Sequence, residues 1–261
     1  MDHAFAAPSA PMRRLCQMQD DATTLDALRE GDIEIVGRIV GSSNNAMFIT
    51  VTRVCPDPKS SLVLDAVYKP TLGERPLDDF PDGTLARREV AAWHVSEASG
   101  WGIVPPTVLR DGPFGEGMIQ AFIEADAEVD VVAMVIEDDQ RLRRMAVLDA
   151  IMNNTDRKAG HILPVDGGRH VFGVDHGVTF SPVPKLRTVL WGWRGKPLAP
   201  DEIAGLERVR DALGGDLGGT LSGLLSRLEV RATQRRIEAL LAAGRFPYPS
   251  PDWPAIPWPP F

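Results

Sequence analysis

Cysteine is scarce: Cys16 and Cys55 are the only two in 261 residues. One disulfide is therefore the ceiling, and no Cys-x-x-Cys pair offers a zinc site. Two reduced thiols in a cytoplasmic protein are the expectation. No apolar run reaches the roughly 18 residues that a membrane span needs, so no transmembrane segment is expected. Met1–Met12 is rich in Ala and Pro but lacks the basic-then-apolar order of an export signal. A long basic run is also missing. The 28 Lys and Arg are outnumbered by 36 Asp and Glu, giving a net charge of −8, which argues against a nucleic-acid partner. Neither Gly-x-Gly-x-x-Gly nor Gly-x4-Gly-Lys-Ser/Thr occurs, so a dinucleotide fold or a Walker-type loop is not indicated. What remains is ordinary globular material, 44% hydrophobic and 25% charged, enough for one large domain or two lobes around a cleft.

The periodicity changes along the chain. Residues 1–20 show none and read as a loose arm. Thr23–Glu30 reads as a short helix ended by Gly31. Ile33 and Ile35 alternate with polar neighbours, and Ala46–Val51 is β-rich. Together they predict a hairpin whose tip is Gly41-Ser42-Ser43-Asn44-Asn45. Leu62–Lys69 is a third strand, ended by Pro70. Leu85–Ser99 is a helix stopped by Gly100, and Val104–Leu109 and Gly117–Ile123 are two further strands. Helices are expected at Val129–Glu137, Arg141–Asn153, Asp201–Leu213 and Leu221–Ala243. The β-like pieces His161–Pro164 and His170–Val174 flank Asp166-Gly167-Gly168. From Phe246 onward, the density of Pro and Trp rules out helix and predicts an extended, surface-packed segment.

Several residues in this order have chemistry suited to one task. The 41–45 tip offers backbone N–H groups, with the side chains of Ser42, Ser43, Asn44 and Asn45, to phosphate oxygens. Lys69 closes an apolar strand and Glu89 lies on the next helix. Asp156, in Asn154-Thr155-Asp156-Arg157-Lys158, and Asp175, in Val174-Asp175-His176-Gly177, sit at irregular turns beside a β-ribbon. An Asp beside Gly or Asn is commonly a turn or cap residue, and an isolated Lys commonly reaches solvent. The ordered set of phosphate loop, strand Lys, helix Glu, loop Asp and Asp-x-Gly is the chain order of a kinase.

The local wording resembles the phosphatidylinositol 3-/4-kinase superfamily, and within it the type II phosphatidylinositol 4-kinases. Gly41-Ser42-Ser43 with Met47-Phe48 is similar to that family's Ser-rich loop. Tyr68-Lys69-Pro70, Arg88-Glu89, Val104-Pro105-Pro106 with Gln120, Asn154-Thr155-Asp156-Arg157, Asp175-His176-Gly177 and Trp191-Gly192-Trp193 follow in the family's order, over roughly residues 35–200. Asp156–His161 also resembles a group of uncharacterised actinobacterial kinase-like proteins. The resemblance implies an α+β, two-lobed protein/lipid-kinase-like fold with an antiparallel N-lobe sheet and a helical C-lobe. It divides the chain into an arm (1–22), an N-lobe (23–124), a C-lobe (125–245) and a tail (246–261).

The same resemblance implies ATP as cofactor and a divalent metal, Mg²⁺ or Mn²⁺. Ser42, Ser43, Asn44, Asn45, Lys69, Glu89, Gln120 and Phe122 would hold the nucleotide, with a hinge near 120–126. Asp156 would act on the acceptor hydroxyl, Arg157 or Lys158 would offset phosphoryl charge, and Asp175 with His161 would hold the metal. His161 stands where the family carries a metal-binding Asn, and imidazole suits Mn²⁺ better than Mg²⁺; either His161 ligates such a softer ion, or it hydrogen-bonds a phosphate while Asp175 holds the metal alone, or the kinase is weak or dead. The Cys-rich insert of the type II lipid kinases is absent, so a lipid acceptor is not implied. The expected function is γ-phosphate transfer to a protein, lipid or small-molecule hydroxyl. A nucleotide-binding pseudokinase, or adenylyl transfer on the same scaffold, are the alternatives.

Overall fold

Alternating apolar residues build a five-stranded antiparallel sheet in the first half of the chain. The structure, a computed structural model, describes residues 21–39, 45–54 and 61–260. Residues 1–20 of the expected arm, Ser42, Ser43, Asn44 and both cysteines lie outside the described residues, and the arm's last two residues, Asp21 and Ala22, belong to the first helix. Helix α1 (Asp21–Glu30) leads into β1 (Asp32–Arg38), β2 (Met47–Arg53) and β3 (Leu62–Pro70). Helix α2 (Leu85–Ser99) then precedes β4 (Thr107–Gly112) and β5 (Gly115–Ala121). The sheet order is β1-β2-β3-β5-β4.

Period-two alternation gives this sheet two different faces. Ile49, Val51, Ala66, Tyr68 and Ile119 are fully buried and cluster with Leu25 and Leu28 of α1. The opposite face carries Lys69 beside Met118, and one row further Phe48, Val67 and Gln120 in register. Helix α2 packs on this second face through Ala86 and Val90 against Met118.

The second half is mainly helical. It contains α3 (Val131–Ile136), α4 (Arg143–Met152), a two-stranded ribbon of β6 (Ile162–Val165) and β7 (His170–Gly173), then α5 (Pro200–Leu213), α6 (Asp216–Leu224) and α7 (Arg227–Ala243). Every residue of α4 from Met145 to Met152 is buried, as befits a helix enclosed on all sides.

The single helix expected over 221–243 is in fact two. Ser226 breaks it with a capping box: its hydroxyl accepts from Glu229 N, and the Glu229 carboxylate accepts from Ser226 N at 2.8 Å. Residues from Phe246 are irregular, as the Pro density predicts. They also touch the loop that follows α4, because Pro260 O accepts from Ala159 N at 3.0 Å.

Helix α2 is fastened to both halves. Arg88, 1% exposed, donates to Thr179 O and pairs with Glu229 at the start of α7 at 2.5 Å. Burial alone would raise the Glu229 carboxyl. The hydrogen bonds from Ser226 and the Arg88 guanidinium outweigh it, and the group is held below its ordinary value of 4.5. A carboxyl depressed on folding stabilises the protein above its unfolded-state value, and that contribution is lost as pH falls through the folded value. Urea unfolding at a series of pH values between roughly 6 and 3 should therefore show a steeper acid loss of stability in the wild type than in Glu229→Gln. Parallel slopes in the two proteins would remove Glu229 from the acid limb.

Candidate active site

Three charged side chains meet where the sheet faces the helical half. The Lys69 ammonium, near the end of β3, donates to Glu89 Oε1 at 2.6 Å and to Asp175 Oδ1 at 2.8 Å. Lys69 and Glu89 are largely buried, whereas the Asp175 side chain is 45% exposed. Burial would lower the Lys69 pKa, but the two carboxylates outweigh it and push the ammonium well above its usual value. In return Lys69 holds the Asp175 carboxyl far below the usual carboxylate range. Burial lifts the Glu89 carboxyl upward, against the pull of Lys69. Glu89 reaches further, since its Oε2 accepts from the backbone N of His176 at 2.8 Å. One carboxylate on α2 thus fixes both the strand lysine and the segment that leaves β7.

Asp175 stands just past β7 in a left-handed backbone conformation, φ 61°, which Asp tolerates better than most residues. Its Oδ2 lies 3.4 Å from His161 Nε2. Burial lowers the His161 pKa, with Asp175 opposing, so the ring is neutral at neutral pH. Its Nδ1 is buried and has no hydrogen-bond partner. A neutral imidazole beside an ionised carboxylate is a donor pair suited to a divalent ion of borderline softness. Among the described residues no third His, Cys, Asp or Glu completes a metal site, so phosphate oxygens or water would supply the remaining positions.

The loop after α4 is built on a buried acid. Asp149, 0% exposed, accepts from Arg157 Nε and Nη2 at about 3 Å and from Asn154 Nδ2 at 2.9 Å. Asn154 Oδ1 in turn accepts from Asp156 N at 3.0 Å. The chain turns into this loop through Asn153 in a left-handed conformation, whose amide donates to Ser181 O and Val183 O. The Asp156 side chain is left partly exposed and pairs with Lys158 at 3.1 Å.

Arg157 is placed differently from the expectation. It is fully buried, and besides Asp149 it donates to Val174 O at 2.8 Å and to His176 Nε2 at 2.6 Å. An arginine only donates, so His176 Nε2 accepts and Nδ1 carries the ring proton. Burial first, then Arg157, holds that imidazole neutral. The guanidinium is committed to the scaffold, which leaves Lys158, paired with Asp156, as the cation of this loop nearest that carboxylate.

Gln120 is likewise turned inward. It is 4% exposed and donates to Thr107 Oγ1 at 2.8 Å, so its amide is engaged within the sheet. Phe122 is 37% exposed and packs edge-on to Phe48, ring centres 5.0 Å apart. With Val67 they line the Lys69 face. Asn45, the described end of the hairpin tip, donates its backbone N–H to Gly73 O at 3.4 Å, in the turn that follows β3. Sequence reasoning passed over Asp149 and His176. The available signal for the first was a lone carboxylate inside the apolar run Val147–Ile151.

No family model matches the chain. Protein Rv2133c of Mycobacterium tuberculosis is 40% identical over 270 residues, spanning 90% of this chain and 94% of that protein. Among solved structures, the Golgi casein kinase superposes with a TM-score of 0.55 at 15% identity, over 85% of this chain and 74% of its own. The same kinase with Mn/ADP bound gives 0.53 at 16% identity, over 85% and 75%. The Helicobacter pylori proinflammatory kinase CtkA gives 0.51 at 11% identity, over 84% and 94%. At these identities the likeness is one of fold, and the α+β arrangement is that of a two-lobed, kinase-like molecule. The chain belongs to the same family as protein Rv2133c of Mycobacterium tuberculosis.

Proposed function

We propose that this protein is an ATP-dependent phosphotransferase that passes the γ-phosphoryl group to a hydroxyl. The observation that carries the reading is the Lys69–Glu89–Asp175 cluster, in which a strand lysine bridges a helix carboxylate and a second carboxylate beside the Asp156 loop. Such a cluster pre-positions a cation for phosphate oxygens without reorganisation at the moment of reaction. The wording shared with the phosphatidylinositol 3-/4-kinases supports the same assignment of roles. In this reading 23–124 and 125–245 are the two lobes, 246–261 is a tail and 120–126 is the hinge. Phe48, Val67 and Phe122 form the apolar shelf for adenine, and the protein acts in the cytoplasm.

Lys69 would bind the α/β-phosphate oxygens, held in place by Glu89. Asp156 would accept the proton of the attacking hydroxyl at its carboxylate, and Lys158 would offset phosphoryl charge. Asp175 and His161 would hold a divalent ion, which supplies neutralisation of the phosphate oxygens. The structural neighbour with Mn/ADP bound is consistent with that donor pair. Incubation with γ-labelled and with α-labelled ATP tests the reading. Transfer of label from the γ position supports it. Transfer of α label would make the protein an adenylyl transferase, and tight binding with no transfer from either would make it a nucleotide-binding regulatory module.

The metal preference offers an independent check. With His161 as a ligand, Mn²⁺ should support tighter ATP binding than Mg²⁺, and His161→Asn should shift the preference towards Mg²⁺. Calorimetric titration of ATP in each metal reads this. An equal response to both ions, before and after the substitution, would place His161 outside the coordination sphere.

A further inference from the structure

A cavity of about 670 Å³ opens between α7 and the segment around residues 245–250. None of its lining residues belongs to the Lys69 cluster, and its volume lies in the range of small-molecule sites. Arg236, Ala239, Leu240 and Ala243 lie three or four residues apart and form its α7 wall. Phe246 and Pro247 contribute apolar surface from the segment beyond the helix.

The lining holds two arginines and no acidic residue. Arg236 uses three of its five N–H donors, on Ile151 O, Ser181 O and Thr233 Oγ1. All three acceptors are uncharged. Burial first and the adjacent Arg235 second lower its pKa to about 10, and no carboxylate opposes them. The group stays cationic at neutral pH, and among the described residues two of its donors are free and it has no counter-charge. Arg245 makes one hydrogen bond, to Gly195 O, and is exposed. A partly buried cation in an apolar wall is costly to leave uncompensated. A ligand that carries its own anion relieves that cost.

We propose that this cavity binds an amphipathic monoanion: an apolar body held between α7 and the Phe246–Pro247 wall, with one carboxylate drawn to Arg236 and Arg245. The site is independent of the nucleotide reading. It also has a route into the scaffold of the Asp156 loop, because Asn153, another lining residue, shares Ser181 O with Arg236.

Calorimetric titration of the full chain with decanoate tests this, with acetate and decanol as the charge-only and chain-only controls. Decanoate should saturate a single site. Acetate and decanol should each bind at least about tenfold more weakly, the scale of one charge-assisted contact or of the apolar body removed. Ala239→Trp fills the cavity from an exposed helix position and should weaken decanoate at least about tenfold. Arg236→Gln should abolish the preference for decanoate over decanol. Should that variant fail to fold, since Arg236 ties α7 to α4, Arg245→Gln reads the same preference with little structural cost. No saturable decanoate binding, decanol binding as tightly as decanoate, or unchanged affinity in Ala239→Trp would each overturn the proposal.

Discussion

Replacing Lys69 with alanine should lower ATP turnover by roughly 30- to 1000-fold, equivalent to about 2–4 kcal/mol of transition-state stabilisation. The cation removed donates to both Glu89 and Asp175. The loss has two parts that can be separated. In the proposed reading, phosphate oxygens lose a pre-positioned partner, which lowers turnover. Glu89, with its side chain 2% exposed, loses its counter-charge, which lowers stability. A steady-state assay at saturating ATP reads the first, and urea unfolding of the same variant reads the second. Turnover at the wild-type level in a folded Lys69→Ala protein would show that Lys69 does not face the nucleotide.

The largest expected effect on stability belongs to Asp149→Asn. Asp149 and Arg157 are both fully buried and hydrogen-bonded through two nitrogens of the guanidinium. Removing the negative charge leaves Arg157 charged in a dry interior, a change that costs about 3–5 kcal/mol. The paired replacement Asp149→Leu with Arg157→Met should regain much of that stability, since an apolar pair of similar volume avoids the desolvation cost altogether. It should not regain activity, because Asn154 then lacks the acceptor that orients it toward Asp156 N. Urea midpoints for the three proteins, set beside their turnover, check both statements. A loss of less than about 1 kcal/mol in Asp149→Asn, the scale of a surface pair, would mean that Arg157 finds other compensation.

The parts of this arrangement that were legible in the sequence are the local ones. Alternation marked β2 and β3, Gly100 marked the end of α2, and Lys69, Glu89 and Asp175, which the sequence singled out in that order, do meet in one cluster. Partners fixed by tertiary packing were not legible. Arg157 lies between two plausible cleft residues, and nothing in Thr155–Lys158 says that it turns inward toward an acid eight positions earlier. Gln120 sits on the Lys69 face by register, yet Thr107, on the neighbouring strand, takes up its amide. The break at Ser226 was written in the sequence as Ser226-x-x-Glu229, but the apolar pattern running through Leu224, Leu225 and Val230 masked it. For the Trp- and Pro-rich stretch, composition gave an extended shape and could not give its contact with Ala159.

Helix α2 carries two adjacent charges that point to different halves of the molecule, Glu89 to Lys69 and Arg88 to Glu229. Swinging the helix outward would separate both ion pairs at once, leaving Lys69 with Asp175 alone and Arg88 without its carboxylate. The lysine–glutamate contact at the cluster and the arginine–glutamate contact at the start of α7 are thus joined through neighbouring residues of one helix, so a displacement that opens one opens the other.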